Sequence, residues 1–267
     1  MLALRLVLTA CLAALLLASP ALAQVSDRCL AISQAPVRVH PAQFRPAGLK
    51  AAEVRLTFVG HATWLIESAG GIRIATDYND YIRPATTPEI ATMNRAHTTH
   101  YTLYPDPRIA HVLRGWGKDG AAAKYDLTLA DVRVRNVATN IRDWSGGFIP
   151  HGNSIFIFEI GGMCIGHLGH LHHTLTPEQV GHIGQLDVVM VAVDGSYTMD
   201  VPGVVETLKT LRARLILPMH YFNPGTLARF LDAIGSDFAV ETAKEPSIVI
   251  SQAKLPSEPK VLVLPGF

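Results

Sequence analysis

The chain is 267 residues long, 49% hydrophobic and only 17% charged, which supplies ample material for a buried core and excludes a disordered chain. Its formal net charge is +1 and it holds no basic block, which argues against nucleic acid as a partner, because neutralising phosphates takes clustered Lys and Arg. No internal repeat is present.

Residues 1–23 read as a secretory signal, with Arg5 ahead of an apolar run over 6–17 and the small-x-small site Ala21-Leu22-Ala23. Cleavage is expected after Ala23. The run is too short for a stable membrane anchor. Leu8-Thr9-Ala10-Cys11 has the residue types of a lipobox, but that reading leaves almost no hydrophobic region before the cysteine. The expectation is a periplasmic or secreted protein. Cys11 would leave with the signal. Cys29 and Cys164 would then either form a disulfide, which export permits, or remain separate thiols.

Residues 24–52, rich in Pro, Ala and Gln, read as an extended lead-in, and 53–267 as one domain. Alternating polar and apolar residues predict strands at 54–59, 62–67 and 72–76, with Gly70-Gly71 as a hairpin turn. A polar, Pro-containing loop over 78–102 follows. Further strands are predicted at 132–138, 154–160 and 163–166. Thr176-Pro177-Glu178-Gln179 predicts a helix start, with Thr176 as its cap and Pro177 in the first turn. Strands at 187–193 and 215–217, helices at 201–213 and 226–234, and late strands at 247–250 and 261–264 complete the domain. A β-rich first half followed by alternating strand and helix implies two sheets with helices outside them.

Twelve histidines are present, and their placement matters more than their number. His97 and His100 fall in the polar loop; His167, His170, His172 and His173 follow an apolar strand; His220 ends another strand. A lone histidine is more often a hydrogen-bonded structural residue. Three groups at predicted strand ends point instead to a metal, and imidazole suits zinc, copper, iron and nickel.

The order of Val59-Gly60-His61-Ala62-Thr63, the strand ending at Asp77, His167-Leu168-Gly169-His170, Tyr197-Thr198 and Pro218-Met219-His220-Tyr221 resembles the metallo-β-lactamase superfamily, in particular its lactonase-like and phospholipase D-like branch. The resemblance covers about residues 54–221 and implies an α/β fold, a four-layer αββα sandwich with a metal site along one edge. The departures carry information too. The family's HxHxDH motif reads Arg95-Ala96-His97-Thr98-Thr99-His100 here. A later His-Asp pair reads Arg142-Asp143, and HLGD reads His167-Leu168-Gly169-His170.

Two divalent ions at roughly 3.5–4 Å need anionic bridging, and both usual carboxylates are gone. Arginine cannot ligate a cation. The expectation is one divalent ion, zinc or another transition metal such as iron, held by three or four of His97, His100, His170 and His220. His61, Asp77 and His167 are expected behind the ligands, orienting them. Asp194 is a candidate ligand or general base, with a turn role before Gly195 as its alternative. Arg95 and Arg142 are expected to bind an anionic small-molecule substrate, with salt bridges to Asp143 or Asp77 as the competing role. Tyr197 and Tyr221 are candidate pocket residues, as is Tyr101; an exposed turn is the expected place of His172 and His173. Three functions follow: hydrolysis of an ester, lactone or phosphodiester, non-catalytic metal or ligand binding on a degenerate scaffold, or redox chemistry at an all-histidine site.

Overall fold

The computed structural model describes Cys29 and residues 48–266 apart from Ala96 and Trp144. The expected signal and most of the lead-in lie outside the described residues.

In chain order the strands are β1 (Val54–Gly60), β2 (Thr63–Ser68), β3 (Arg73–Ala75), β4 (Ile90–Met93), β5 (His111–Arg114), β6 (Asp126–Leu129), β7 (Val132–Arg142), β8 (Phe148–Ile160) and β9 (Met163–His167). They continue as β10 (Val188–Ala192), β11 (Leu215–Met219), β12 (Ala239–Thr242), β13 (Ser247–Ile250) and β14 (Lys260–Val263). Three α-helices are described: α1 (Pro177–Ile183), α2 (Val201–Leu211) and α3 (Pro224–Ile234). The strands form a six-stranded sheet, ordered β13-β1-β2-β3-β4-β5, and an eight-stranded sheet, ordered β12-β14-β11-β10-β9-β8-β7-β6.

The alternation that predicted β1 is the one that buries it: Val54, Leu56 and Phe58 face inward while Arg55, Thr57 and Val59 remain half-exposed. Together with Trp64, Phe156, Phe158, Met190 and Leu217 they fill the space between the sheets. Fully burying a side chain of this size stabilises by about 1.5–3 kcal/mol. The parallel strands β9, β10 and β11 are buried on both faces, which explains their unbroken apolar sequence. Val188 and Met190 enter the inter-sheet core, while Val189 and Val191 meet α2 and α3 outside the eight-stranded sheet through Val204, Leu208, Phe230 and Ile234.

Among the described residues the α-helices cover that sheet alone. The outer face of the first sheet carries the pairs Arg55–Glu67 and Arg73–Glu89, and a satellite core of Tyr78, Met93 and Ile109. The α1 start is as expected: Thr176 and Gln179 form a reciprocal capping box. At its other end Arg135 donates to the carbonyls of His182 and Ile183 at 2.7 and 2.6 Å, satisfying groups a helix leaves bare.

Cys29 and Cys164 are joined in a disulfide with Cα atoms 5.8 Å apart, which resolves the two alternatives. It ties a residue preceding the sandwich to β9. No helix among the described residues is long and apolar enough to cross a membrane.

Candidate metal centre

In both sheets the relevant strands run the same way, and their carboxyl ends meet at one edge. His61 follows β1, Asp77 follows β3, Arg95 to His100 follow β4, Arg142 ends β7, His170 follows β9, Asp194 follows β10 and His220 follows β11. Carboxyl ends of parallel strands are where α/β sheets bind ligands. His61, Asp77 and His220 all take left-handed backbone conformations, with φ of 51°, 42° and 60°. Non-glycine residues hold such angles only under constraint. Here the His220 N–H donates to the His61 carbonyl at 2.7 Å, joining the two sheets across the site.

His61, His100 and His220 bring one ring nitrogen each within 4.8 Å of one another. Each of two rings is clamped from behind. His100 Nδ1 lies 2.6 Å from Asp77 Oδ2, and His220 Nδ1 lies 2.9 Å from Asp194 Oδ1. A carboxylate accepts, so each Nδ1 donates, and in the neutral ring each Nε2 keeps a bare lone pair. Those two Nε2 atoms face each other at 3.2 Å. With both rings neutral neither can donate to the other, so the contact calls for a proton or a metal cation between them. His61 Nε2 and His170 Nε2 are also buried with no hydrogen-bond partner.

The surroundings disfavour the charged form of His61, His100 and His170. Burial pushes His61 down to about 3, with repulsion from His220 adding to it. Burial and neighbouring histidines hold His100 and His170 well below the ordinary imidazole range. Neutral imidazole is the form that binds metal. Burial also raises Asp77 to about 6, against the pull of His167 and the Asn94 amide.

The expected ligand set was His97, His100, His170 and His220, with His61 behind them. The geometry instead puts His61 in the tightest trio. His97 is half-buried beside the cluster, its ring centroid 6.1 Å from that of His100 and 4.8 Å from that of His170. His167 lies deeper: its Nε2 bonds the Ala62 carbonyl at 2.9 Å, and its Nδ1 accepts from Gly169.

Asp194 does not fit the role of general base. Burial works against its charge, yet hydrogen bonds from His220 and Thr198 hold the carboxyl far below its usual range. Ser196 and Thr198 donate through backbone and hydroxyl, and Tyr197 through its backbone, so both oxygens are occupied. Its contact with the site is the bond to His220 Nδ1. Tyr221 is likewise not a pocket residue: its hydroxyl donates to the Leu264 carbonyl and its ring packs on Phe58.

A cleft of about 360 Å³ opens beside the trio, lined by Arg95, His97, Arg142, His172, Ser196 and Tyr197. Neither salt bridge considered for the arginines forms. Arg142 donates to the carbonyls of Ser196 and Thr198, and Asp143 is engaged by Ser145 and Gly147 in its own turn. The Arg95 side chain is exposed. Tyr101 stacks edge-on against Trp116, away from the cleft lining.

Sequence reasoning missed Asn94, Asn153 and Phe222, and expected His172 in an exposed turn, whereas it is half-buried between Arg142 and His170. Asn94 donates to Asp77 at 2.9 Å, and Asn153 accepts from the His170 backbone at 2.8 Å. A side chain on Gly169 would collide with both amides, which explains the glycine there. Phe222 packs against Tyr197 and His220 at centroid distances of 5.5 and 5.3 Å. Asn153, next to Gly152 within β8, offered the clearest missed signal.

The beta-lactamase superfamily domain matches residues 55–220, and the chain belongs to that family. A metal-dependent hydrolase of Salinibacter ruber is 22% identical, over 68% of this chain and 91% of the relative. One from Thermoplasma volcanium is 29% identical over 41% of this chain, and the match spans only about half, 52%, of that relative. Among solved structures, a candidate Zn-dependent hydrolase of the metallo-β-lactamase superfamily from Thermotoga maritima aligns with a TM-score of 0.57 and 28% identity, covering 79% of this chain and 98% of that one. The two-sheet sandwich is the fold this chain shares with that structure.

Proposed function

We propose that this protein is an exported metal-dependent hydrolase that uses one histidine-held divalent ion, zinc by preference, on an ester, lactone or phosphodiester. The observation that carries this reading is the pair of bare Nε2 atoms of His100 and His220, 3.2 Å apart, with the orphaned Nε2 of His61 beside them. Three imidazoles with a fourth position open is the donor set of catalytic zinc. A bound ion of this kind lowers the pKa of a coordinated water toward 7 and polarises a carbonyl or phosphoryl oxygen. The names of the matched relatives support hydrolysis.

A second ion finds no carboxylate to bridge it. Asp77 and Asp194 are both committed to histidines, and Arg142 occupies the flank where family members carry a further His-Asp pair. The protein's own groups divide the remaining work. Asp77 and Asp194 fix the ring orientations. His97, between the cluster and the cleft, is placed to take up and release a proton. Arg95 presents its guanidinium to an anionic substrate group, Arg142 shapes the wall beside it, and Tyr197 with Phe222 forms an aromatic lip. Export is supported by the Cys29–Cys164 disulfide, since such bonds persist in oxidising compartments.

Elemental analysis of protein purified from its native compartment, combined with a screen of ester, lactone and phosphodiester substrates, tests the reading. One ion per chain is expected, lost in His100→Ala together with hydrolysis. Two tightly held ions, or full activity in His100→Ala, would refute it. An all-nitrogen donor set also suits copper and iron, so finding either with no hydrolysis would favour the redox reading.

A further inference from the structure

The hydrogen bonds made by one ring settle where the protons of two histidines lie. His172 Nδ1 accepts from the Arg142 backbone N–H at 3.0 Å and from the Arg142 Nε at 3.2 Å. A nitrogen that accepts carries a lone pair, so neutral His172 holds its proton on Nε2. A doubly protonated His172 would have no acceptor for its Nδ1 proton and would face a guanidinium. The His172 Nε2 lies 2.5 Å from His170 Nδ1. His170 Nδ1 is therefore the acceptor in that bond, and neutral His170 holds its own proton on Nε2.

This is the reverse of its neighbours. His100 and His220 give their Nδ1 protons to carboxylates and turn a bare Nε2 toward the centre. His170 turns an N–H there. Its ring stands nearly perpendicular to those of His100 and His220, with centroids 4.7 and 5.1 Å away, and its Nε2 is buried without a partner. A buried donor without an acceptor costs about 1–3 kcal/mol. Such a cost is offset when a ligand atom completes the bond.

We propose that His170 is not a metal ligand but a fixed N–H donor to an oxygen atom of the substrate, the one on which negative charge develops when the carbonyl or phosphoryl group is attacked. Arg142, acting through His172, is the positioning residue that holds His170 in this tautomer. The proposal rests on the hydrolase reading above for its catalytic meaning, but the tautomer stands on the hydrogen bonds alone. Removing a preorganised donor to a developing oxyanion lowers rates by about 10²–10³-fold in comparable sites.

Long-range ¹H–¹⁵N NMR of the imidazole rings, recorded on the metal-free protein and again with zinc, tests this directly. His170 and His172 should show the Nε2–H tautomer, and His100 and His220 the Nδ1–H tautomer. Zinc should shift Nε2 of His100 and His220 while His170 keeps its Nε2 proton. A His170 ring protonated on Nδ1, or one that exchanges its Nε2 proton for zinc, would overturn the proposal. If zinc does not bind at all, the metal reading fails, and the metal-free spectrum still decides the tautomer. His172→Phe removes the donor and should give His170 a mixture of tautomers, whereas His172→Gln, whose amide can donate in its place, should keep Nε2–H. An unchanged His170 tautomer in His172→Phe would remove the positioning role. His170→Ala should lower zinc affinity by no more than the roughly 10–100-fold of an outer partner.

Discussion

His100 and His220 are each clamped by a carboxylate, at 2.6 and 2.9 Å, and both rings are buried. Arg95, on the β4 loop with His100, and Tyr197, on the β10 loop with Asp194, stand exposed, and Tyr197 retains 53% of its surface. One group of residues is fixed before any ligand arrives; the other is free to adapt. The contrast separates two kinds of constraint. Metal geometry tolerates little displacement and is built from buried bonds, while substrate contacts at a rim can change without disturbing the fold. Substitutions in the two regions should therefore have unlike signatures.

The largest effect is expected at the clamp. Asp194→Ala strands six donor groups and frees the His220 ring, and breaking a buried charged partner costs about 3–5 kcal/mol. Urea unfolding should show that loss, and elemental analysis should show metal lost with it. A variant of near-native stability would mean that the clamp is not what rigidifies the trio. Reducing Cys29–Cys164 should cost about 2–5 kcal/mol, because the bridge closes a long loop that includes His61 and His100. Comparing urea midpoints with and without reductant measures it.

Acid should discriminate next. His61 and His172 sit at about 3 and 4, below their ordinary 6.5, with burial as the main cause in each. The unfolded chain takes up protons below pH 6.5 that the folded protein refuses, so stability is complete above that pH and falls as pH drops toward 4. Asp77, raised to about 6, gains its proton earlier in the folded state and offsets part of the loss between pH 6 and 3.8. Urea midpoints of the metal-free protein at pH 8 and pH 5 should differ, with pH 5 the weaker. The smallest effect belongs to the rim. Arg95→Ala should alter stability by no more than about 0.5 kcal/mol and leave metal content intact, while raising KM for an anionic substrate over a neutral analogue.

Much of this architecture was legible in the sequence because period and capping are local. The alternation in β1, the unbroken apolar run of β10 and the Thr176-Pro177-Gln179 cap each carry their own signal. Strands β4, β5, β6 and β12 did not: β4 and β5 lie among turn-forming residues and pair in parallel with distant partners, and β12 is exposed along its whole length. At the site, residue type and strand-end position singled out the histidines and both aspartates, but not the contacts each one makes. Orientation was not readable. Nothing local in Asp194-Gly195-Ser196 reveals that its carboxylate is consumed by the loop that follows, and nothing in Gly60-His61-Ala62 shows which way the His61 ring turns.

The backbone bond from His220 to His61 ties one sheet to the other at the point where the ring nitrogens converge. A metal held there would be a gauge of sheet separation: parting the sheets by even one side-chain length takes His61 away from His220. Escape of the ion then waits on an opening of the sandwich rather than on exchange of one ligand. Raised to high concentration, a chelator should strip the protein at a rate that stops increasing, and that plateau would time the opening of the native fold.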